Sequence, residues 1–226
     1  MNKLSAKWRS PSNIALVKYW GKYEPQIPAN PSISFTLSAS YTETELTLVS
    51  KKEAAAPIRV WLDTIETPGF VKKIEQFLVR LGADVDFLKD YALEVRTHNS
   101  FPHSSGIASS ASGMSALALC LLSLKEQISG EGSTDFYRQA SIWSRLGSGS
   151  ASRSVYGPLA QWGEFADLTE SNDHYAIPYS DVAPVFKDFC DYILLVEKGQ
   201  KAVSSTAGHG LMEGHPYAKS RFKQAH

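Results

Sequence analysis

Between residues 32 and 50 the sequence reads SISFTLSAS and then YTETELTLVS, with apolar and polar residues taking turns. A period of two suits a half-buried strand and not a helix, because successive strand side chains leave on opposite faces. Two strands are read here, 32–40 and 41–50, and PIRVWL (57–62), YALEVRTHNS (91–100), GPLAQWGE (157–164) and DYILLVEKG (191–199) add shorter ones. Helical spacing appears in VKKIEQFLVRLG (71–82), where Val71, Ile74, Phe77, Leu78 and Leu81 share a stripe and Gly82 stands at the C-cap. SSASGMSALALCLLSL (109–124) reads as a buried helix. STDFYRQASIWSRLG (133–147) reads as an amphipathic one, with Ser133 or Thr134 as N-cap and Gly147 as its stop. Antiparallel hairpins come first and helices follow, so the order favours an α+β sandwich over a doubly wound sheet.

The 226 residues, 43% of them apolar, suffice for one large domain or one and a half. Twenty-three basic residues balance 23 acidic ones, which argues against a nucleic-acid binder but not against a local basic pocket. Cys120 and Cys190 lie in apolar surroundings, the pattern of buried free thiols in a reducing compartment, and no Cys/His cluster has metal-ligand spacing. MNKLSAKWRS at the start has no apolar core, and no run of 18 apolar residues occurs, so a soluble cytoplasmic protein is expected, with no membrane contact.

Four stretches break the apolar pattern. GSGSASRS (147–154) holds two glycines, four serines and Arg153, a composition that suits either an anion loop or a flexible linker. FPHSSGIASSASGMSALAL (101–119) runs small residues into a helix, whose first N–H groups lack partners and favour an anion. There Gly106 lets a phosphate approach the backbone, and Ser109 and Ser110 can add hydroxyl contacts; a plain helix cap explains the segment equally. NIALVKYWGKYEPQIPANPSIS (13–34) sets Lys18 and Lys22 around Tyr19 and Trp20, which alone reads as a strand with a basic edge. VEKGQKAVSSTAGHG (196–210) supplies Ser204, Ser205 and Thr206, which alone read as caps of a following helix. The P-loop pattern is absent, and Ser152 stands where G-x-G-x-x-G needs its last glycine.

Taken together, NIALVKYWGK, SGIASSASG, GSGSASRS and VSSTAG resemble the diphosphomevalonate decarboxylase family of the galactokinase, homoserine kinase, mevalonate kinase and phosphomevalonate kinase superfamily. KYWGK followed by GSGSA-x-R marks the decarboxylase branch, and order and spacing agree from residue 10 to 226. The resemblance implies an α+β fold with a ribosomal protein S5 domain 2-like domain at 1–185 and the start of a ferredoxin-like domain at 186–226. It implies ATP with Mg2+ over Ser105, Gly106, Ala108, Ser109 and Ser110. The substrate, diphosphomevalonate, would meet Asn13, Lys18, Tyr19, Trp20, Gly21 and Lys22, then Ser148, Gly149, Ser150, Ala151, Ser152 and Arg153, and finally Ser205 and Thr206. Arg153, Lys22 and Ser110 would be the catalytic residues, and a homodimer is expected. The implied reaction phosphorylates the tertiary 3-hydroxyl and loses phosphate and CO2, giving isopentenyl diphosphate for isoprenoid synthesis.

The sequence departs from the family pattern in places. PHSSG (102–106) replaces a common PTAAG, Ser152 replaces a common Cys, and Phe70 stands near a common Arg, leaving Lys72 or Lys73 to substitute. The family's catalytic Asp has no match: the last Asp is Asp191, read on an apolar strand, and YAKSRFKQAH reads as a helix in progress. These 226 residues are therefore expected to bind an anion or nucleotide without decarboxylating. A mevalonate 3-kinase, a phosphomevalonate decarboxylase and a non-catalytic ligand-binding fragment are the rival readings.

Overall fold

Strand propensity and alternation carry through residue 40 without a turn residue, and the chain does not turn there. The computed structural model describes residues 4–102, 106–187, 190–194 and 210–226. In it Ser32–Ser50 is one strand, β4, where two had been expected. With β1 (Leu4–Val17), β2 (Lys22–Tyr23), β3 (Ile27–Pro28), β5 (Ile58–Leu62), β6 (Ile65–Glu66), β7 (Tyr91–Asn99), β8 (Leu159–Trp162) and β9 (Ala176–Pro178), it makes one large sheet and the small β2–β3 hairpin. β1 pairs antiparallel along nearly all of β4, from Leu4 opposite Leu48 to Val17 opposite Ile33, with register shifts at Pro11/Asn13 and Ala15/Val17. Along the other edge of β4, β7 pairs with Thr42–Ser50 and β8 with Ser32–Phe35, both antiparallel. The β5–β7 pair is parallel, so the sheet is mixed.

Alternation then sets the layers. Thr42, Thr44, Leu46 and Leu48 are buried on one face of β4, while Glu43 on the other takes Lys7 and Arg9 from β1. Helices α1 (Val71–Leu81), α2 (Ser109–Ser129) and α3 (Phe136–Gly147) pack together with the sheet around Leu46, Val60, Phe77, Leu121, Leu122 and Trp143. α2 is apolar nearly all round and buried for most of its length, as its sequence indicates, though it runs five residues past 124 to Ser129, with Gly130 as its C-cap. Gly82 ends α1 at φ 56°, a left-sided conformation that favours glycine. The N-cap of α3 is Asp135, not Ser133 or Thr134, because its carboxylate accepts from the Arg138 N–H at 3.1 Å.

Two further expectations are corrected. Cys120 is fully buried and Cys190 is exposed. Apolar packing on α2 pushes the Cys120 thiol up to about 12, so it stays protonated and donates to the Thr44 carbonyl. Asp191 does not sit on a strand: 191–194 have no regular structure, and the rest of the strand expected at 191–199 lies outside the described residues. The closing helix is present as α4 (Ala218–Ala225). Among the described residues no helix is long and apolar enough to cross a membrane.

Candidate anion-binding site

β1 was read as strand only from residue 13, and its earlier half is what organises the site. Three polar side chains near its middle are buried, and each reaches a different backbone. Ser10 Oγ donates to the Ser154 carbonyl at 2.9 Å, and Ser12 Oγ donates to the Ile107 carbonyl. Asn13 Nδ2 donates to the Ser150 carbonyl at 3.1 Å and to Ser154 Oγ at 2.7 Å. One strand thus ties down both the Gly-Ser turn after α3 and the entry to α2.

That turn, Gly149–Val155, is a tight 3-10 helix and not an open ring of donors. The Ala151 N–H is spent on the Ser148 carbonyl, and Ser152 Oγ donates to the Gly149 carbonyl at 2.9 Å. Ala151 and Ser152 are fully buried, so their side chains serve the turn, while Ser148 and Ser150 stay partly exposed. Gly149 has no room for a side chain: a Cβ would lie 2.8 Å from the Trp162 ring and 3.5 Å from the Tyr19 hydroxyl. Gly149→Ala is expected to destabilise the fold by about 1–3 kcal/mol, the usual cost of overpacking. Urea denaturation checks this, and an unchanged midpoint would place Trp162 elsewhere.

The turn delivers Arg153, which is 2% exposed. Its Nε donates to Ser34 Oγ at 3.0 Å, one terminal nitrogen to Ser32 Oγ, and the other to Asn13 Oδ1 at 3.3 Å. The rings of Tyr19 and Trp162 each lie 5.9 Å from the guanidinium carbon and meet one another edge-on at 5.2 Å. Burial lowers the guanidinium to about 10, with Tyr19 opposing, so it remains charged at neutral pH. Burial also raises the Tyr19 hydroxyl above its usual range, with Arg153 opposing. No carboxylate among the described residues forms an ion pair with Arg153. Among the described residues, neutral groups hold this buried cation, an arrangement suited to an anion.

Asn13, Tyr19, Gly149, Ser150 and Arg153 are therefore brought together. The loop beyond Tyr19 is held by buried Asn30, which accepts from the Trp20 N–H at 2.9 Å and donates to the Lys18 carbonyl at 3.1 Å. The Lys18 side chain is exposed. Trp20 lies under the Arg221 guanidinium of α4 at 5.0 Å, and a Cβ on Gly21 would meet the Phe222 ring at 3.1 Å. Lys22 is half-buried, and its Nζ donates to Gln26 Oε1 at 2.8 Å. Burial lowers its ammonium pKa, Glu24 raises it and Arg80 lowers it.

At the α2 entry Gly106 has φ 95° and Ala108 is a left-handed N-cap that offers no side-chain cap. Ser109 and Ser110 in the first turn are partly exposed, the Ala111 N–H turns back on the Ala108 carbonyl at 2.8 Å, and a helix start of this kind favours an anion. Of Lys72 and Lys73, both solvent-accessible, Lys73 is crowded enough by surrounding protein that burial lowers its pKa. Ser105, Ser205 and Thr206 lie outside the described residues. Among the described residues, no three His, Cys, Asp or Glu side chains are grouped to hold a metal.

Sequence reasoning missed Ser32, Ser34, Gln26, Asn30, Arg145 and Trp162. A signal existed for the first two: they occupy the core-facing parity of β4, where serine in place of an apolar residue implies a buried polar partner.

A family model described as the diphosphomevalonate decarboxylase-like N-terminal domain matches residues 10–175. Diphosphomevalonate decarboxylase of Ganoderma lucidum is 30% identical over 239 residues, covering 99% of this chain and 57% of the relative. That of Eremothecium gossypii is 32% identical over 215 residues, covering 90% of this chain and 52% of the relative. The crystal structure of mevalonate diphosphate decarboxylase from Staphylococcus aureus superposes with a TM-score of 0.75 at 30% identity, covering 99% of this chain and 64% of that one. The chain spans about half the length of the curated relatives it matches. Because the matched model takes in most of its residues, the chain belongs to the diphosphomevalonate decarboxylase-like family.

Proposed function

We propose that this chain supplies the ATP- and substrate-binding part of an enzyme that decarboxylates (R)-5-diphosphomevalonate to isopentenyl diphosphate, with ADP, phosphate and CO2 as the other products. The observation that carries the reading is Arg153, a buried cation that pairs with no carboxylate among the described residues, on a turn fastened to the same strand as the entry to α2. A similar protein, MDDEF, has been solved in complex with MVAPP, AMPPCP and magnesium at a TM-score of 0.73 and 29% identity, covering 99% of this chain and 65% of that one.

In this reading the diphosphate is bound by Arg153, Lys22, the Ser148–Ser150 backbone and Tyr19, with Ser205 and Thr206 completing it. Asn13 orients the guanidinium through its carbonyl oxygen. The α2 entry at 106–110 holds the ATP phosphates, and Ser109 and Ser110 present hydroxyls toward them. Ser109 and Ser110 are the residues that would hold Mg2+ with the ATP, where it would supply positive charge against the phosphates. ATP supplies the phosphoryl group that turns the tertiary hydroxyl into a leaving group. The chain's own residues then contribute position and a fixed positive field, the two things phosphoryl transfer most needs. The fold assignment in this reading is a ribosomal protein S5 domain 2-like unit to about residue 185 and the start of a ferredoxin-like unit beyond. A cytoplasmic homodimer belongs to the same reading.

The test is a full-length version of the protein given ATP, Mg2+ and diphosphomevalonate, with ADP and CO2 both measured. Equal release of the two is expected. ADP without CO2 would show a 3-kinase, and neither product would sink the assignment. Ser110→Ala in that protein is expected to slow turnover about 10- to 100-fold, the worth of one hydrogen bond to a charged group. Its melting temperature should not move, since Ala108 and not Ser110 is the N-cap. An early-melting variant with normal turnover would make Ser110 merely structural.

A further inference from the structure

The β2–β3 hairpin carries a side chain that neither the apolar core nor the expected site explains. Gln26 is only 6% exposed and sits at φ 60°, a left-handed conformation that residues other than glycine seldom adopt. Such backbone persists where neighbours over-determine it. Here the neighbour is Arg145, 4% exposed, in the last turn of α3. One of its terminal nitrogens donates to the Pro25 carbonyl at 2.6 Å and to the Gln26 carbonyl at 3.2 Å. Its Nε donates to the His174 carbonyl at 2.8 Å. All three acceptors are backbone oxygens, two of them on the hairpin, so the guanidinium clamps it against the end of α3. The Gln26 side chain then points its amide oxygen at Lys22 Nζ, 2.8 Å away.

We propose that Gln26 and Arg145 are positioning residues for Lys22: Arg145 fixes the hairpin, and Gln26 holds the ammonium with a neutral acceptor that leaves its charge available to an anion. The inference rests on the reading of Lys22 as a diphosphate contact. The choice of amide is the telling chemistry. A carboxylate at 26 would hold the ammonium in the same place but cancel the charge, whereas an amide oxygen orients without neutralising. The nearby acid, Glu24, is largely exposed, and one of its oxygens lies 3.9 Å from Arg80. Arg145 also lies four residues before the Gly-Ser turn, so one helix end sets the hairpin bearing Lys22 and the turn bearing Arg153.

The experiment uses the chain labelled with 15N-lysine. The Lys22 ammonium signal is assigned with Lys22→Arg, and pyrophosphate affinity is measured by calorimetry. Gln26→Leu should broaden the Lys22 signal into exchange with water and weaken pyrophosphate up to about tenfold, the scale of one lost hydrogen bond. Gln26→Glu should keep the signal sharp yet weaken pyrophosphate by at least as much. Arg145→Lys, which keeps the charge but loses the fork, should broaden the signal in a protein that still folds. Lys22→Met with Gln26→Leu should bind no more weakly than Lys22→Met alone. A sharp Lys22 signal in Gln26→Leu, or wild-type affinity in Gln26→Glu when Lys22→Met binds weakly, overturns the proposal. If Lys22→Met binds pyrophosphate like the wild type, the diphosphate reading of Lys22 fails, and the signal in Gln26→Leu and Arg145→Lys still decides whether the clamp exists.

Discussion

Arg153→Met is expected to weaken pyrophosphate binding by about 100-fold or more while leaving the free protein nearly as stable as the wild type. The first half follows from charge-assisted hydrogen bonds, worth about 1.5–3 kcal/mol each, two of which a guanidinium can direct at one phosphate. The second half follows from the missing counter-charge. Burial holds this guanidinium at about 10, well below its ordinary value. A base whose folded pKa is depressed is penalised in the fold while it stays charged. That penalty is full at neutral pH and fades only as pH rises through about 10. Methionine removes it, and the lost bonds to Ser34, Ser32 and Asn13 offset the gain. A large fall in the melting temperature of the unliganded variant would show instead that Arg153 serves the fold. Arg153→Lys should lie between wild type and Met in affinity, because it keeps the charge and loses the fork.

Trp162→Ala is expected to cost about 3–5 kcal/mol, the range for truncating a fully buried large aromatic residue. Three supports go at once. The indole N–H donates to the Asp173 carbonyl at 2.8 Å, leaving that oxygen unpaired when it is removed. The ring closes on Gly149 so tightly that no Cβ fits between them. It also meets Tyr19 edge-on at 5.2 Å, so the loop toward Lys22 loses its backing. Chemical denaturation of wild type, Trp162→Phe and Trp162→Ala separates these effects. Phe keeps most of the area and loses the Asp173 bond, so it should fall near the wild-type end. A cost below about 1.5 kcal/mol for Ala would mean that the site collapses onto the space without harm.

What could be read from the sequence was set by how local its cause is. The period of two in β4 is local, and it survived; the division at residue 40 failed because no Gly, Pro, Asn or Asp stands there to make the turn. Ser133, Thr134 and Asp135 are all good caps, so choosing among them needs the helix's actual first turn. GSGSASRS was legible as an anion loop only beside the other stretches. Its tight 3-10 form, with Ser152 and Ser154 turned inward, was not, because their partners lie on residues 149 and 13. Arg145 was the hardest case. A basic residue in the last turn of a helix reads as a surface complement to the helix dipole, and its real partners stand at residues 25, 26 and 174.

The side chains of Ser10, Ser12 and Asn13 give β1 a further role. The α2 entry at 106–110 and the turn that carries Arg153 are both fastened to neighbouring residues of one extended strand. Strand residues advance about 3.3 Å each and hardly stretch. The separation of the two loops is thus fixed by peptide geometry, and the strand works as a measuring rod. In the proposed reading, that rod sets how far the ATP phosphates at the α2 entry stand from the substrate held at Arg153, and so the gap a phosphoryl group has to cross.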